Sequence, residues 1–124
     1  MGRENKITGR VGEKIAFGFL RRKGYKIITT NYRTPFGEID AVAKKDDLVV
    51  FIEVKTRSSD SLGPPYLAVT GAKARHIIKN ALFYLKKYDL LDSSARIDVV
   101  SIKLDCEYSA EDIEIIENAV EYNY

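Results

Sequence analysis

Apolar residues recur at helical spacing through residues 8–23, where Val11, Ile15, Phe19 and Leu20 fall on one side with Ala16 beside them. Thr8 predicts an N-cap, and Gly24, just after the basic turn Arg21-Arg22-Lys23, predicts the stop. The period then shortens. Residues 25–33, YKIITTNYR, are rich in β-branched and aromatic side chains and predict a strand. Thr34-Pro35-Phe36-Gly37 predicts a turn, and EIDAVAKK and LVVFIEVKT predict two further strands around a break at Asp46-Asp47. The three strands predict an antiparallel meander with the helix packed on one face.

Beyond Lys55, the stretch TRSSDSLGPPYLAV has the prolines and glycine of a loop. Thr70 predicts the cap of a second helix over 71–88, with Ala74, Ile77, Ile78, Ala81, Leu82 and Leu85 as its apolar stripe. RIDVVSIKL (96–104) predicts a buried strand, whereas EDIEIIENAVEYNY suits an edge strand or a short helix equally. No repeat or linker interrupts this order. The pattern αβββαβ is that of an α/β protein, a mixed β-sheet flanked by helices, in a single domain over 1–124 with its core about 8–104 and an acidic segment 105–124.

Composition removes several function classes. A chain of 124 residues suits one core, and no apolar run approaches the roughly 18–20 residues of a membrane span. The start, MGRENKITGRVGEK, lacks the apolar segment of a secretory signal. Cys106 is the single cysteine and His76 the single histidine, which excludes a disulfide framework, a cysteine zinc site and a His-rich metal site. The expectation is a reduced, cytoplasmic domain without membrane attachment. Charge is uneven: residues 1–34 carry nine Lys and Arg against Glu4 and Glu13, and the stretch after Lys103 carries seven acids and no Lys or Arg. A basic face for a polyanion fits this polarity, as does simple solvated charge on helix surfaces.

The chemistry gathers at Glu38, Asp40, Glu53 and Lys55. In a hairpin centred on Asp46-Asp47, opposed positions sum to 93, so Asp40 faces Glu53 and Glu38 faces Lys55. Ile39, Ala41, Ala43, Val50, Ile52 and Val54 form one apolar face. The other carries Val42, Val49 and Phe51 at one end and the charged cluster at the other. A hairpin apolar on both faces lies inside a covered sheet, where charges must be paired or bound to metal. Two carboxylates about 4 Å apart repel by roughly 4 kcal/mol at an effective dielectric of 20. A hard cation such as Mg²⁺ answers that repulsion, and so does an ion-pair network in which Lys55 and Arg57 neutralise the acids. The residue types alone leave both open. No G-x-x-x-x-G-K-[ST] occurs, and His76 on an Ile-flanked helix is a poor candidate for a triad base.

GEID…FIEVKTR resembles the Asp…Glu-x-Lys core of the PD-(D/E)-x-K restriction-endonuclease-like superfamily, with Ile39 standing where the superfamily's name has Pro. More closely, the run from GRVGEKIAFGFL through FIEVKTRSS resembles the YraN-like family of uncharacterised, predicted endonucleases related to archaeal Holliday-junction resolvases. The likeness continues through AVTGAKARHIIKNALFYL and RIDVVSI, to about residue 104. It implies a restriction-endonuclease-like sheet and metal-dependent hydrolysis of phosphodiester bonds in structured or branched DNA.

In such a site Asp40 and Glu53 would be ligands of Mg²⁺ or Mn²⁺, joined by the backbone carbonyl of Val54. Lys55 would orient the attacking water and stabilise charge, and Glu13 would be an additional acid rather than an ordinary surface residue. Such chemistry needs a Lewis acid on a non-bridging oxygen and a donor beside the scissile phosphate. Arg10, Arg33, Arg57 and Lys73 are candidate phosphate contacts, with a solvated surface role as the alternative. The implied partner is DNA, and a homodimer would suit symmetrical cutting. The competing readings are a non-catalytic nucleic-acid-binding module on the same scaffold and a protein-interaction role for the acidic tail or edge strand.

Overall fold

The computed structural model describes residues 2–58 and 71–120, with side chains from residue 6 onward. Helix α1 (Gly2–Arg22) precedes strands β1 (Lys26–Thr34), β2 (Gly37–Lys45) and β3 (Leu48–Ser58). Helix α2 (Gly71–Lys87) then leads to β4 (Ala95–Leu104) and β5 (Ala110–Ile116). The five strands form one sheet in sequential order. β1–β2, β2–β3 and β4–β5 are antiparallel, and β3–β4 is parallel. The crossover through α2 is what a parallel neighbour requires. The sheet is therefore the mixed one expected, and the segment left open between strand and helix is the edge strand β5. The proposed Thr70 cap and the 59–70 loop lie outside the described residues.

α1 begins well before Thr8, which lies inside the helix. Arg3, Glu4 and Lys6 are good helix formers, and nothing in GRENKI interrupts the helix. Its end follows expectation. Gly24 takes φ 92°, and the Tyr25 N–H donates back to the Leu20 carbonyl at 3.0 Å, closing the helix with a left-handed residue.

Each face of the sheet has its own core. On the α1 side, Ala16, Leu20 and Tyr25 pack with Ala41, Ala43, Val50, Ile52, Val100 and Ile102. On the α2 side, Ala81, Tyr84 and Leu85 pack with Val42, Val49, Phe51 and Ile97. β5 contributes Ile113 and Ile115 to the first layer, and Val120 belongs to the second. Ile39 joins the α2-side cluster rather than the face of Ala41 and Ala43. The two-residue period fails there because β1 and β2 are irregular at Asn31 and Asp40, which drop out of the register between Thr30↔Ala41 and Tyr32↔Ile39.

One buried charge braces the sheet. Asp98 is fully buried and accepts hydrogen bonds from the Tyr25 hydroxyl (2.8 Å), Arg96 Nε (2.9 Å) and the Asn118 N–H (2.9 Å). It thereby ties the end of α1, β4 and the segment leaving β5 to one carboxylate, with burial and Asp98 pushing the Tyr25 phenol up to about 12. Among the described residues, no helix is long and apolar enough to cross a membrane.

Candidate active site

The β2–β3 ladder keeps the register in which opposed positions sum to 93, but it ends at Ala41↔Ile52. Beyond that pair the strands separate, and a side chain replaces the missing rung: Asp40 Oδ2 accepts the Val54 N–H at 2.8 Å. An N–H freed from a sheet needs an acceptor, and Asp40 supplies one while its second oxygen stays available. The divergence opens a gap between the strands where both helical layers can reach.

α1 brings Glu13 to this gap because the preceding residue has no side chain. A Cβ on Gly12 would collide with the Thr56 side chain of β3, so the helix lies closer to the strand than any other residue would allow. β1 contributes Asn31, held at φ 51°, a left-handed conformation that asparagine tolerates better than most residues. Its side-chain amide donates to Glu38 Oε1 at 2.9 Å and to Glu13 Oε2 at 3.3 Å. Glu13, Glu38 and Asp40 each offer an oxygen within 4.8 Å of the others. Burial first, then the charge of Glu53 and of Glu13 and Glu38, push the Asp40 carboxyl up to about 7, against the opposing pull of the Val54 N–H.

Across the gap, Glu53 and Lys55 project from the same side of β3 and pair at 3.2 Å. Lys73, near the start of α2, lies beside them. Its contact with the Lys55 amine, together with partial burial, holds its pKa below the ordinary lysine value. Glu13, Asp40, Glu53, Val54, Lys55 and Lys73 all line one open cleft of about 490 Å³. A second cleft of about 510 Å³ adjoins it, sharing Gly9 and Glu13 and edged by Lys6, Arg10, Arg33, Asn31 and Glu38.

The structure thus brings Glu13, Asp40, Glu53, Val54, Lys55 and Lys73 together, and sets Arg10 and Arg33 in the neighbouring cleft. Arg57 lines neither; it lies further along β3, in register with Lys103 of β4. Glu38 does not face Lys55, because the ladder stops before that pair; it turns to Asn31 and Glu13. Asn31 is the residue that pattern reading missed. Its one available signal was a poor strand former inside an otherwise strand-like run.

The Uncharacterised protein family UPF0102 matches residues 12–102 of this chain. A UPF0102 protein of Geobacter metallireducens is 47% identical over 124 residues, the whole of both chains. Another, of Moorella thermoacetica, is 41% identical over 111 residues, 90% of this chain and 92% of the relative. Among solved structures, SfsA of Pyrococcus furiosus in complex with Ca²⁺ is similar at 16% identity and a TM-score of 0.40. That likeness covers 95% of this chain and 65% of the length of SfsA.

Proposed function

We propose that this chain, which belongs to the uncharacterised protein family UPF0102 and has its restriction-endonuclease-like fold, is a metal-dependent endonuclease acting on structured or branched DNA. The observation that carries the reading is the acid triad at the open end of β2. Glu13, Glu38 and Asp40 lie within 4.8 Å of one another, and among the described residues their hydrogen-bond donors are neutral amides, those of Asn31 and Val54. Lys55 is occupied with Glu53. An ion-pair network therefore accounts for one acid and leaves the triad's repulsion standing. A hard cation, which prefers carboxylate and carbonyl oxygens, relieves it.

Asp40 and Glu53 would hold the ion from the two sides of the gap. An extended residue directs its N–H and C=O to the same side, so the Val54 carbonyl faces β2 as its N–H does and can join them. Glu13 and Glu38, set by Asn31, would orient the ion's water. When bound, Mg²⁺ or Mn²⁺ supplies Lewis acidity and a water of lowered pKa. Lys55 directs its ammonium over the same cleft, where it can donate to the scissile phosphate as negative charge grows. Lys73 adds a second cation on that side, and Arg10 and Arg33 offer phosphate contacts next door.

The test is cleavage of linear, flapped, looped and four-way DNA with Mg²⁺ and with Mn²⁺. Wild type is expected to cut a branched substrate and Asp40→Ala to leave it intact. No cutting by wild type, with both proteins folded and binding DNA equally, would assign the chain to the non-catalytic binding modules.

A further inference from the structure

We propose that the sugar–phosphate backbone of the substrate strand crosses α1 at Gly9, with one phosphate in the Lys6–Arg10–Arg33 cleft and the scissile one in the Asp40–Glu53–Lys55 cleft. The proposal rests on the nuclease reading for what happens in the second cleft. The path itself rests on Gly9. This residue lies inside a 21-residue helix, where glycine is less stable than alanine because it loses more backbone freedom. Its neighbour Gly12 has a packing reason, since a Cβ there would strike Thr56. Among the described residues Gly9 has none: a Cβ added to it would meet nothing within 4 Å.

The bare position lies where the two clefts meet, and both are lined by Gly9 and Glu13. One helical turn separates these residues, about 6 Å along the axis, a step comparable with that between successive phosphates of an extended strand. Lys6, Arg10 and Arg33 are exposed along the far cleft, and Lys55 and Lys73 line the near one. A basic hollow and one where acids and lysines mix, joined by a saddle without a side chain, suit a chain that carries its charges at intervals. The ligand class is thus a phosphodiester polymer with at least two consecutive phosphates, cut internally, rather than a mononucleotide.

The experiment compares wild type, Gly9→Ala, Gly9→Phe and Lys14→Phe. Lys14 is exposed on the same helix, so its variant controls for adding an aromatic ring. Each protein is assayed with Mn²⁺ on a single-stranded oligonucleotide and on the p-nitrophenyl ester of thymidine monophosphate, which has one phosphate. Gly9→Phe is expected to lose about 100-fold in kcat/KM on the oligonucleotide and far less on the ester, because a displaced strand misplaces its reacting phosphate. Lys14→Phe should match wild type on both, and Gly9→Ala should fall between. In binding assays, Arg10→Ala and Arg33→Ala should each lower the slope of log affinity against log salt by about 0.7.

Equal oligonucleotide cleavage by Gly9→Phe and wild type would overturn the path while leaving the nuclease reading intact. If wild type hydrolyses neither substrate, oligonucleotide affinity decides the path, and the nuclease reading fails only where branched DNA also stays intact. A Kd raised about tenfold in Gly9→Phe then supports it, since a lost contact of that size is 1.4 kcal/mol. Unchanged affinity, or no affinity in wild type, overturns it.

Discussion

Asp40 carries a cost that depends on pH. Its carboxyl rises from 3.8 to about 7 in the fold, facing Glu13, Glu38, Glu53 and the Lys73 ammonium. The folded state therefore binds more protons than the unfolded chain between these values, and stability falls as pH climbs from about 4 to 7. The metal-free protein should melt higher at pH 5 than at pH 8, by an amount worth on the order of a few kcal/mol. Thermal melts of Asp40→Asn should show a shallower decline, and added Mg²⁺ should restore the wild-type Tm at pH 8. Asn31 acts on the same acids. Asn31→Gly keeps the left-handed backbone but removes the amide between Glu13 and Glu38, so Mn²⁺ affinity should drop about 10–100-fold with little change in Tm. Isothermal titration reads that directly.

At the scale of elements, the close contact of α1 with β3 is what sets Glu13 beside Asp40. Gly12→Ala should push the helix off Thr56, lowering stability by about 1–3 kcal/mol and weakening metal binding together. Gly9→Ala, one turn earlier, should raise stability by roughly 0.5–1 kcal/mol, because only the helix propensity changes. Denaturation in urea distinguishes the two glycines. Arg96→Met should cost about 3–5 kcal/mol in the same experiment, since it strands the buried Asp98 charge.

The elements themselves were legible because their periods are strong. Val49 and Phe51 enter the α2-side core and Val50 between them the α1-side core, as the sequence implies, and the hairpin register follows from the Asp46-Asp47 break. What the pattern did not carry is departure from regularity. The ladder stops at Ala41↔Ile52, and Asn31 turns left-handed. Both are features of how neighbouring strands meet, and with them Glu38 sits beside Asn31 and Glu13 rather than opposite Lys55. Spacing within a strand holds no information about where its neighbour departs.

Across the whole molecule, charge divides the sheet. β1 forms one edge and carries Lys26 and Arg33, whereas β5 forms the other and carries Glu111, Asp112 and Glu114. Both proposed phosphate clefts lie towards the basic side, at α1, β1 and the ends of β2 and β3. DNA affinity should therefore fall steeply with salt, losing several orders of magnitude between about 50 and 200 mM if six or more phosphates are engaged. Fluorescence anisotropy across a salt series measures this. Removing the β5 acids should change the slope little.

Opposite charge on two open strand edges has a further consequence. The β1 rim of one molecule and the β5 rim of another attract, and their union would leave fresh rims at both ends, a contact that propagates without closing. The irregularities of β1 stand in the way: the register shift between Ile27 and Thr29 and the left-handed Asn31 spoil the straight row of N–H and C=O groups that an incoming strand would need. The kink that gathers the acids is therefore expected to hinder edge-to-edge polymerisation as well. Asn31→Val, which favours an extended backbone, should form sedimenting, thioflavin-positive assemblies at low salt that dissolve as salt is raised.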